Sequence, residues 1–315
     1  MPGTGRQFPP FVAPMLATPA PELPADADQW TAEVKWDGMR AIAAVAGGQV
    51  RIWSRAGRDV TAAYPELAAL ETAARRRTLL LDAEVVALSG ARPDFTRLQH
   101  RMLTGRPSVP LLTAVPVTLI VFDLLRIGAR SLLHNPHAQR RALLDDLGLQ
   151  VPGAIQVPPA FPGDAAALLR ASREQGYEGI ILKRPGSFYT PGRRSASWMK
   201  IRNIRAADVL VGGWLPGAGQ RARLPGSLLV GLPGKAGLEY AGSVGTGFTQ
   251  AALRELASLL SDLEQPVSPF ADALPPSIAR HARWVRPALA AEVAYLERTP
   301  SGRLRQPVWR GLRSS

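Results

Sequence analysis

Apolar and polar positions alternate in short runs along the first two-thirds of the chain, and each run predicts an element. "AIAAVAGGQVRIWSR" (41–55) predicts a β-hairpin turning at Gly47-Gly48. "TLLLDAEVVAL" (78–88), "VTLIVFDLL" (117–125) and the β-branched "EGIILKR" (178–184) predict strands, the first two buried. "PELAALETAARRR" (65–77) carries an apolar stripe at helical spacing and a basic end, which predicts a helix. "NPHAQRRALLDDLG" (135–148) and "GDAAALLRASREQG" (163–176) predict two more, each closed by glycine. In the first of these, Asn135 is expected to cap the helix and Pro136 to take its first position.

After about residue 205 the texture changes. Short strand-like runs ("ADVLVGGWLPG", "GSLLVGLPG", "LEYAGSVGTGF", "AEVAYLERTP") alternate with glycine and proline turns, interrupted by one helical stretch at 249–263. That pattern predicts a small β-barrel with an inserted helix. The boundary is expected between Asn203 and Ala207, which divides the chain into domains 1–204 and 205–315. The fold class read from this order is α+β, and no internal repeat is visible.

Length and composition sharpen the picture. A chain of 315 residues suits two cores, and 46% hydrophobic with 20% charged residues marks a globular protein. The most apolar stretch, "VPLLTAVPVTLIVFDLL", is broken by Pro110, Pro116 and Asp123, and the N-terminus lacks an unbroken apolar segment. No membrane association and a cytoplasmic (nucleoid) location are therefore expected. The absence of cysteine excludes disulfides, thiolate zinc sites and iron–sulfur clusters. The four histidines (His100, His134, His137, His281) form no metal-ligand pattern. A net charge of +13 favours a polyanionic partner, since arginine or lysine on phosphate releases counterions. A solvated arginine surface, or a genome rich in arginine codons, is the other reading of the same number.

Lysine is scarce, with four against thirty-four arginines, so its positions are informative. Lys35 stands in "TAEVKWDGMR" as Lys35-x-Asp37-Gly38-x-Arg40, at the end of a strand. A lysine amine becomes a nucleophile once neutral, whereas arginine stays protonated. On extended backbone Asp37 shares a face with Lys35, Gly38 permits a tight turn, and Arg40 is placed to reach a phosphate or carboxylate. An edge-strand lysine paired with a surface aspartate is the plain alternative.

Further motifs follow in order: "SRAG" (Ser54–Gly57), "LDAEVV" with Asp82 and Glu84, "VFDLL" with Phe122, "EGIILK" with Glu178, Gly179 and Lys183, and "RRSASWMKIR" with Arg194, Trp198, Lys200 and Arg202. Three of the four lysines fall inside these motifs. In this series the chain resembles the covalent nucleotidyltransferases, specifically the ATP-dependent DNA ligases. "APMLA", "DFTRLQHRM", "VGTGF" and "AAEVAYLERTPSGRLRQPVWRGLR" extend the resemblance over nearly the whole chain, towards small bacterial ligases related to the ligase module of end-joining repair enzymes.

The resemblance implies an adenylation domain followed by an OB-fold domain. It implies that Lys35 takes AMP from ATP, with Glu33 among the nucleotide-binding residues. Arg40 and Arg55 then meet ribose or phosphate, and Arg55 also meets the 5′-phosphate of a nick. Glu84 holds the ribose hydroxyls or a metal shell. Phe122 stacks on adenine, a core phenylalanine being its bland alternative. Asp37 and Glu178, with Glu84, are the expected ligands of Mg²⁺ or Mn²⁺. Lys183, Arg194, Lys200 and Arg202 neutralise the phosphates, and Arg55, Arg202 and Arg313 contact DNA. The implied partner is nicked double-stranded DNA, met by a monomer, with end-joining or repair proteins supplied by other chains. An RNA ligase, a GTP-using capping enzyme and an inert nucleic-acid scaffold are the rival readings.

One departure stands out. The family's last motif, Arg-x-Asp-Lys, is represented only by Arg313 in "RGLRSS". Less efficient self-adenylation is expected, with Arg305 or Arg310 as a substitute cation.

Overall fold

The chain divides into two units, residues 1–203 and 204–315. The structure, a computed structural model, describes residues 8–90, 92–219, 224–299 and 301–313. The first unit begins with β1 (Leu16–Ala20), β2 (Thr31–Val34) and the hairpin β3 (Met39–Ala46) and β4 (Gln49–Ser54). Gly47 and Gly48 turn that hairpin at φ +58° and +77°, the backbone that a two-residue turn requires. There follow α1 (Ala69–Ala73), β5 (Leu79–Ser89), β6 (Arg92–Pro93), α2 (Phe95–Met102), α3 (Val109–Ala114), β7 (Val117–Ile127), β8 (Arg130–Ser131) and α4 (His137–Asp146). The unit closes with β9 (Ile155–Gln156), β10 (Phe161–Pro162), α5 (Ala165–Glu174), β11 (Gly179–Lys183) and β12 (Arg194–Arg202).

Two sheets result. One has the order β1-β12-β11-β2-β10; the other runs β4-β3-β5-β7-β8, with β6 and β9 attached to it. The strands that read as unbroken apolar runs are those covered most completely. Leu67, Leu70, Leu98 and Leu144 pack on β5 and β7, and Leu168 and Leu169 of α5 pack on Ile180 and Leu182. A third cluster joins the sheets: Ile42, Leu80 and Leu125 from one meet Trp198 from the other, with Met15 and Tyr189 between them. Each such fully buried side chain contributes about 1.5–3 kcal/mol. The functional cleft lies at the polar margin of this cluster.

Two local expectations change. The helix read over 65–77 is a 3₁₀ turn at Pro65–Ala68 followed only by α1, because the chain turns back through Arg75 and Arg76 at φ +49° and +63° to feed β5. Asn135 does not cap α4; its side chain bonds Gln139, and Pro136 occupies the cap position. The free N–H groups of His137 and Ala138 donate instead to Ser187 O and Pro185 O, at 2.8 and 2.9 Å. A carbonyl pair from a distant loop does what a local side chain was expected to do.

Among the described residues the second unit is one sheet with two helices. Its strands are β13 (Arg205–Pro216), β14 (Pro225–Gly234), β15 (Gly237–Val244), β16 (Glu264–Gln265), β17 (Arg283–Val285), β18 (Ala290–Tyr295) and β19 (Val308–Leu312). Between β15 and β16 lies α6 (Gln250–Ser261), capped by Thr249, whose side chain accepts from Ala252 N–H. A short α7 (Pro276–Ala279) precedes β17. One edge of β13 pairs with β14; the other is shared by β17 and β18, and β19 continues from β18. Val209, Val211, Val230 and Val293 bury inward with Leu256 and Leu260 of α6. Among the described residues no helix is long and apolar enough to cross a membrane.

Candidate active site

The end of β2 delivers Lys35. Ile180 pairs with Val34 and Ile181 with Glu33, and Lys35 N–H donates to Gly179 O at 2.9 Å, so β11 fixes the backbone of the lysine. At Gly179 (φ +147°) a Cβ would stand 2.0 Å from Ile201 O, so only glycine allows β11 to approach β12 this closely. At Gly38 a Cβ would stand 2.3 Å from Val85 O. Glycine there lets the turn after Lys35 lie flat against β5, where Arg40 pairs in register with Glu84.

Lys35 Nζ forms an ion pair with Glu178 Oε2, and Arg202 Nε lies 3.1 Å from the other oxygen of that carboxylate. Trp198, Lys200 and Arg202 alternate along β12 and so share its face. Partial burial lowers the pKa of Lys200, and the positive charges of Arg202, Lys35 and Arg194 lower it further. Lys35 and Arg202 thus hold the carboxylate of Glu178, with the charges of Lys200 and Arg194 nearby, and such an excess of positive charge suits a polyphosphate.

Phe122 reaches the cleft through a bulge. Asp82 pairs with Asp123 and Ala83 with Val121, leaving Phe122 as the extra residue of β7. A bulge of this kind re-aims one side chain without ending the sheet. The Arg40 guanidinium covers the Phe122 ring at 4.6 Å and is held by both oxygens of Asp82, at 2.5 and 2.6 Å. Desolvation disfavours the charge on Arg40, but Asp82 outweighs it and raises its pKa.

Beneath the cleft lies a buried charge pair. Lys183 Nζ donates to Glu33 Oε2 at 2.7 Å and sits 4.8 and 4.4 Å from the rings of Phe122 and Trp198. Burial pushes the Glu33 carboxyl up; Lys183 and His137 outweigh it and leave the pKa at about 2. Glu33 Oε1 is buried without a hydrogen-bond partner, with His137 Nε2 at 3.5 Å. Glu84 behaves oppositely. Its burial raises the carboxyl to about 8, against the pull of Arg40 and Lys35 and with the support of Asp82 and Glu178.

One cleft is therefore lined by Glu33, Lys35, Arg40, Arg55, Glu84, Phe122, Lys183, Arg194, Lys200 and Arg202. Glu178 reaches it through Lys35 rather than as part of the wall, and Asp37 is half-buried outside the wall. Arg313 lies in the second unit, paired with Asp208 and Glu292 at 2.7 and 2.8 Å. Arg305 is paired with Glu297 at 2.8 Å, and Arg310 is exposed. Sequence reading gave no role to Met15, Leu16, Ala17, Trp36 and Ile181, which also line the cleft, nor to Asp82, His137 and Tyr189 around it. Met15, Leu16, Ala17, Trp36, Ile181 and Asp82 lie inside motifs quoted above, whereas His137 was marked only as part of a helix start and nothing local marked Tyr189.

A primary amine in a cationic cleft with an aromatic wall is the arrangement of a covalent nucleotidyltransferase. A family model described as "ATP dependent DNA ligase domain" matches residues 14–202, and one described as "ATP dependent DNA ligase C terminal region" matches 221–315. The chain belongs to the ATP-dependent DNA ligase family. It is 44% identical over 303 residues to the multifunctional non-homologous end joining DNA repair protein LigD of Mycobacterium tuberculosis. That match covers 96% of this chain but 38% of the relative. LigD of Pseudomonas aeruginosa is 33% identical, over 99% of this chain and 36% of that protein. The chain thus spans well under half the length of these relatives. The crystal structure of the ligase domain from M. tuberculosis LigD aligns with a TM-score of 0.57 at 42% identity, covering 96% of this chain and 95% of that one. A structure of mycobacterial DNA ligase D complexed with ATP and MES aligns equally well.

Proposed function

We propose that the protein seals nicks in duplex DNA through an AMP carried on Lys35. The observation that supports this best is the Lys35 amine held by Glu178 in the same cleft as Lys200 and Arg202. In the first step the neutral amine attacks the α-phosphorus of ATP; a P–N bond forms, the bond to pyrophosphate breaks, and the amine gives up a proton. Lys200, Arg202 and Arg194 stabilise the charge that builds on the phosphates. The 5′-phosphate of a nick then displaces the lysine from AMP. The 3′-hydroxyl next attacks that phosphate, closing the strand and releasing AMP.

In this reading the base meets the wall formed by Arg40 over the Phe122 ring. Glu33 Oε1, which makes no hydrogen bond and has only His137 Nε2 at 3.5 Å, is an acceptor held ionised, and it suits the exocyclic amine of adenine. Guanine presents a carbonyl there, which would meet a like charge. This favours ATP over GTP.

The donor set fits a hard divalent cation. Among the described residues no group of three or more carboxylates and histidines is arranged to hold a metal alone. Mg²⁺ needs only one or two carboxylates when phosphate and water complete its shell, and Glu84 in the cleft wall supplies one. Glu178 would be a second ligand once released from Lys35, and Asp37 lies near enough in sequence to add water-mediated contacts. When bound, such an ion neutralises phosphate charge.

For the second unit we favour an OB-fold barrel. Trp309 N–H donates to Thr246 O and Leu304 N–H to Ala241 O, at 2.9 and 2.7 Å, which brings the segment around β19 back to β15. Its arginines, Arg313 among them, suit backbone contacts with DNA that carry no sequence information. A role in end joining, in the cytoplasm and with partners on other chains, rests on the likeness to the LigD proteins.

The test is a chase. Protein labelled with α-³²P-ATP is mixed with a nicked DNA duplex, with the same nick in RNA, and with intact duplex. Loss of label coupled to sealing of the DNA nick is expected. Preferential sealing of RNA, or labelling by GTP alone, refutes the assignment.

A further inference from the structure

Tyr189 has no part in the chemistry described so far, yet its hydroxyl closes a ring of hydrogen bonds behind the cleft. The side chain is 2% exposed. Its Oη accepts from Met15 N–H at 2.9 Å and donates to Asp82 Oδ2 at 2.6 Å. Asp82 grips Arg40 with both oxygens, and Arg40 Nη2 returns to Met15 O at 3.4 Å. The circuit therefore begins and ends on the backbone of one residue, Met15. Met15, Leu16 and Ala17 form part of the cleft wall, and Arg40 with Phe122 beneath it forms another part.

The aromatic ring of Tyr189 is fixed independently of its hydroxyl. It meets Trp198 edge-on at 5.8 Å and 85°, and the Arg140 guanidinium covers it at 5.7 Å. Its backbone N–H donates to Leu133 O at 2.9 Å. The loop beyond it is pinned twice more, by Leu16 N–H to Arg193 O and by Gly192 N–H to Ala13 O, at 2.9 and 3.0 Å. Packing thus holds the residue in place, and what the hydroxyl adds is a tie between Asp82 and the Met15 strand.

We propose that Tyr189 is a positioning residue for the nucleotide: its hydroxyl locks the Asp82–Arg40 pair to the backbone of Met15 and so sets the spacing between two parts of the cleft wall. The proposal rests on the reading of that cleft as the ATP site. It assigns Tyr189 to ground-state binding of the nucleotide, since the circuit it closes joins Met15, Asp82 and Arg40 and includes neither Lys35 nor its partner Glu178. A loose wall should weaken capture of ATP and leave the step at Lys35 nearly unchanged.

The experiment measures lysyl-adenylate formation against ATP concentration for the full chain and for Tyr189→Phe, which keeps the ring and removes the hydroxyl. The half-saturating ATP concentration is expected to rise about tenfold, with the rate at saturation within about threefold of the parent. In an Arg40→Ala background the same change should add less than about a twofold effect, because the ring is already open. A role confined to folding predicts equal losses at low and saturating ATP, in step with a lower melting temperature. That result, an unchanged ATP dependence, or full additivity with Arg40→Ala overturns the proposal. Should Tyr189→Phe not fold, Asp82→Asn breaks the circuit one link further on and must show the same split. A parent protein that forms no adenylate at all refutes the ligase reading itself, and this proposal with it.

Discussion

Replacing Lys183 by methionine keeps most of the volume beneath Phe122 and Trp198 but removes the lysine bonded to Glu33. The size of the effect follows from the structure. Lys183 is 1% exposed and Glu33 4%, so water screens neither charge. A carboxyl held at about 2 rather than 4.5 favours its ionised form by about 3 kcal/mol, at about 1.4 kcal/mol per pH unit. Lys183 shares that gain with His137, and the burial of the Lys183 charge itself, which lowers the lysine's pKa, offsets it in part. Breaking a buried ion pair from one side costs about 3–5 kcal/mol by independent measure, so the two figures agree. For a unit of this size about 3 kcal/mol lowers the melting temperature by about 6–12 °C. Calorimetry or circular dichroism at pH 7 reads this directly. The double variant Lys183→Met/Glu33→Gln should recover at least half of the loss, because no uncompensated carboxylate remains. The sign with pH also follows. A depressed pKa gives stability that is present above about pH 4.5 and lost as pH falls towards 2, and Lys183→Met should flatten that acid limb. A loss under about 2 °C, or a double variant no better than the sum of the singles, would refute the coupling.

Glu84 has the opposite linkage. Its pKa is raised from 4.5 to about 8, so its contribution is complete below pH 4.5 and is lost as pH rises through about 8. The parent should therefore lose melting temperature between pH 6 and pH 9 more steeply than Glu84→Gln, and parallel profiles contradict the burial argument. Gly179→Ala would drive a Cβ into Ile201 O at a left-handed φ, at a cost of about 1–3 kcal/mol or more. It should also slow adenylation, since Gly179 O holds Lys35 N–H; a variant that melts and reacts like the parent argues against that constraint. Arg313→Ala should leave adenylation and the melting temperature nearly unchanged, because its ion pairs are open to solvent. A large loss of adenylation in that variant would show a role its ion pairs do not suggest.

Much of the fold was readable because its strands are written as local patterns. The alternation in 41–55 and the apolar runs of 78–88 and 117–125 became β3, β4, β5 and β7 within two residues. The short helix α1 was over-read because an apolar stripe says nothing about where the chain must turn back. α2 was not read as a helix, although Asp94 accepts from Arg97 N–H at 3.1 Å and "DFTRLQHRM" begins with that cap. In the cleft, residues inside dense motifs were legible. The supports were not: Glu33 meets Lys183 across 150 positions, and Tyr189 meets Asp82 across 107. No local spacing encodes such pairs. Phe122 was legible as an aromatic, but the bulge that turns it into the cleft depends on the register of β5 against β7.

The central claim is that the amine of Lys35 carries AMP. Incubating the protein with ATP and Mg²⁺, digesting it and sequencing the peptides by mass spectrometry under conditions that preserve P–N bonds tests it most directly. A single AMP adduct on the peptide containing Lys35, absent from Lys35→Ala and removed on adding nicked DNA, is the predicted result. An adduct on Lys183 or Lys200 with Lys35 unmodified, or no adduct on any residue, would contradict it.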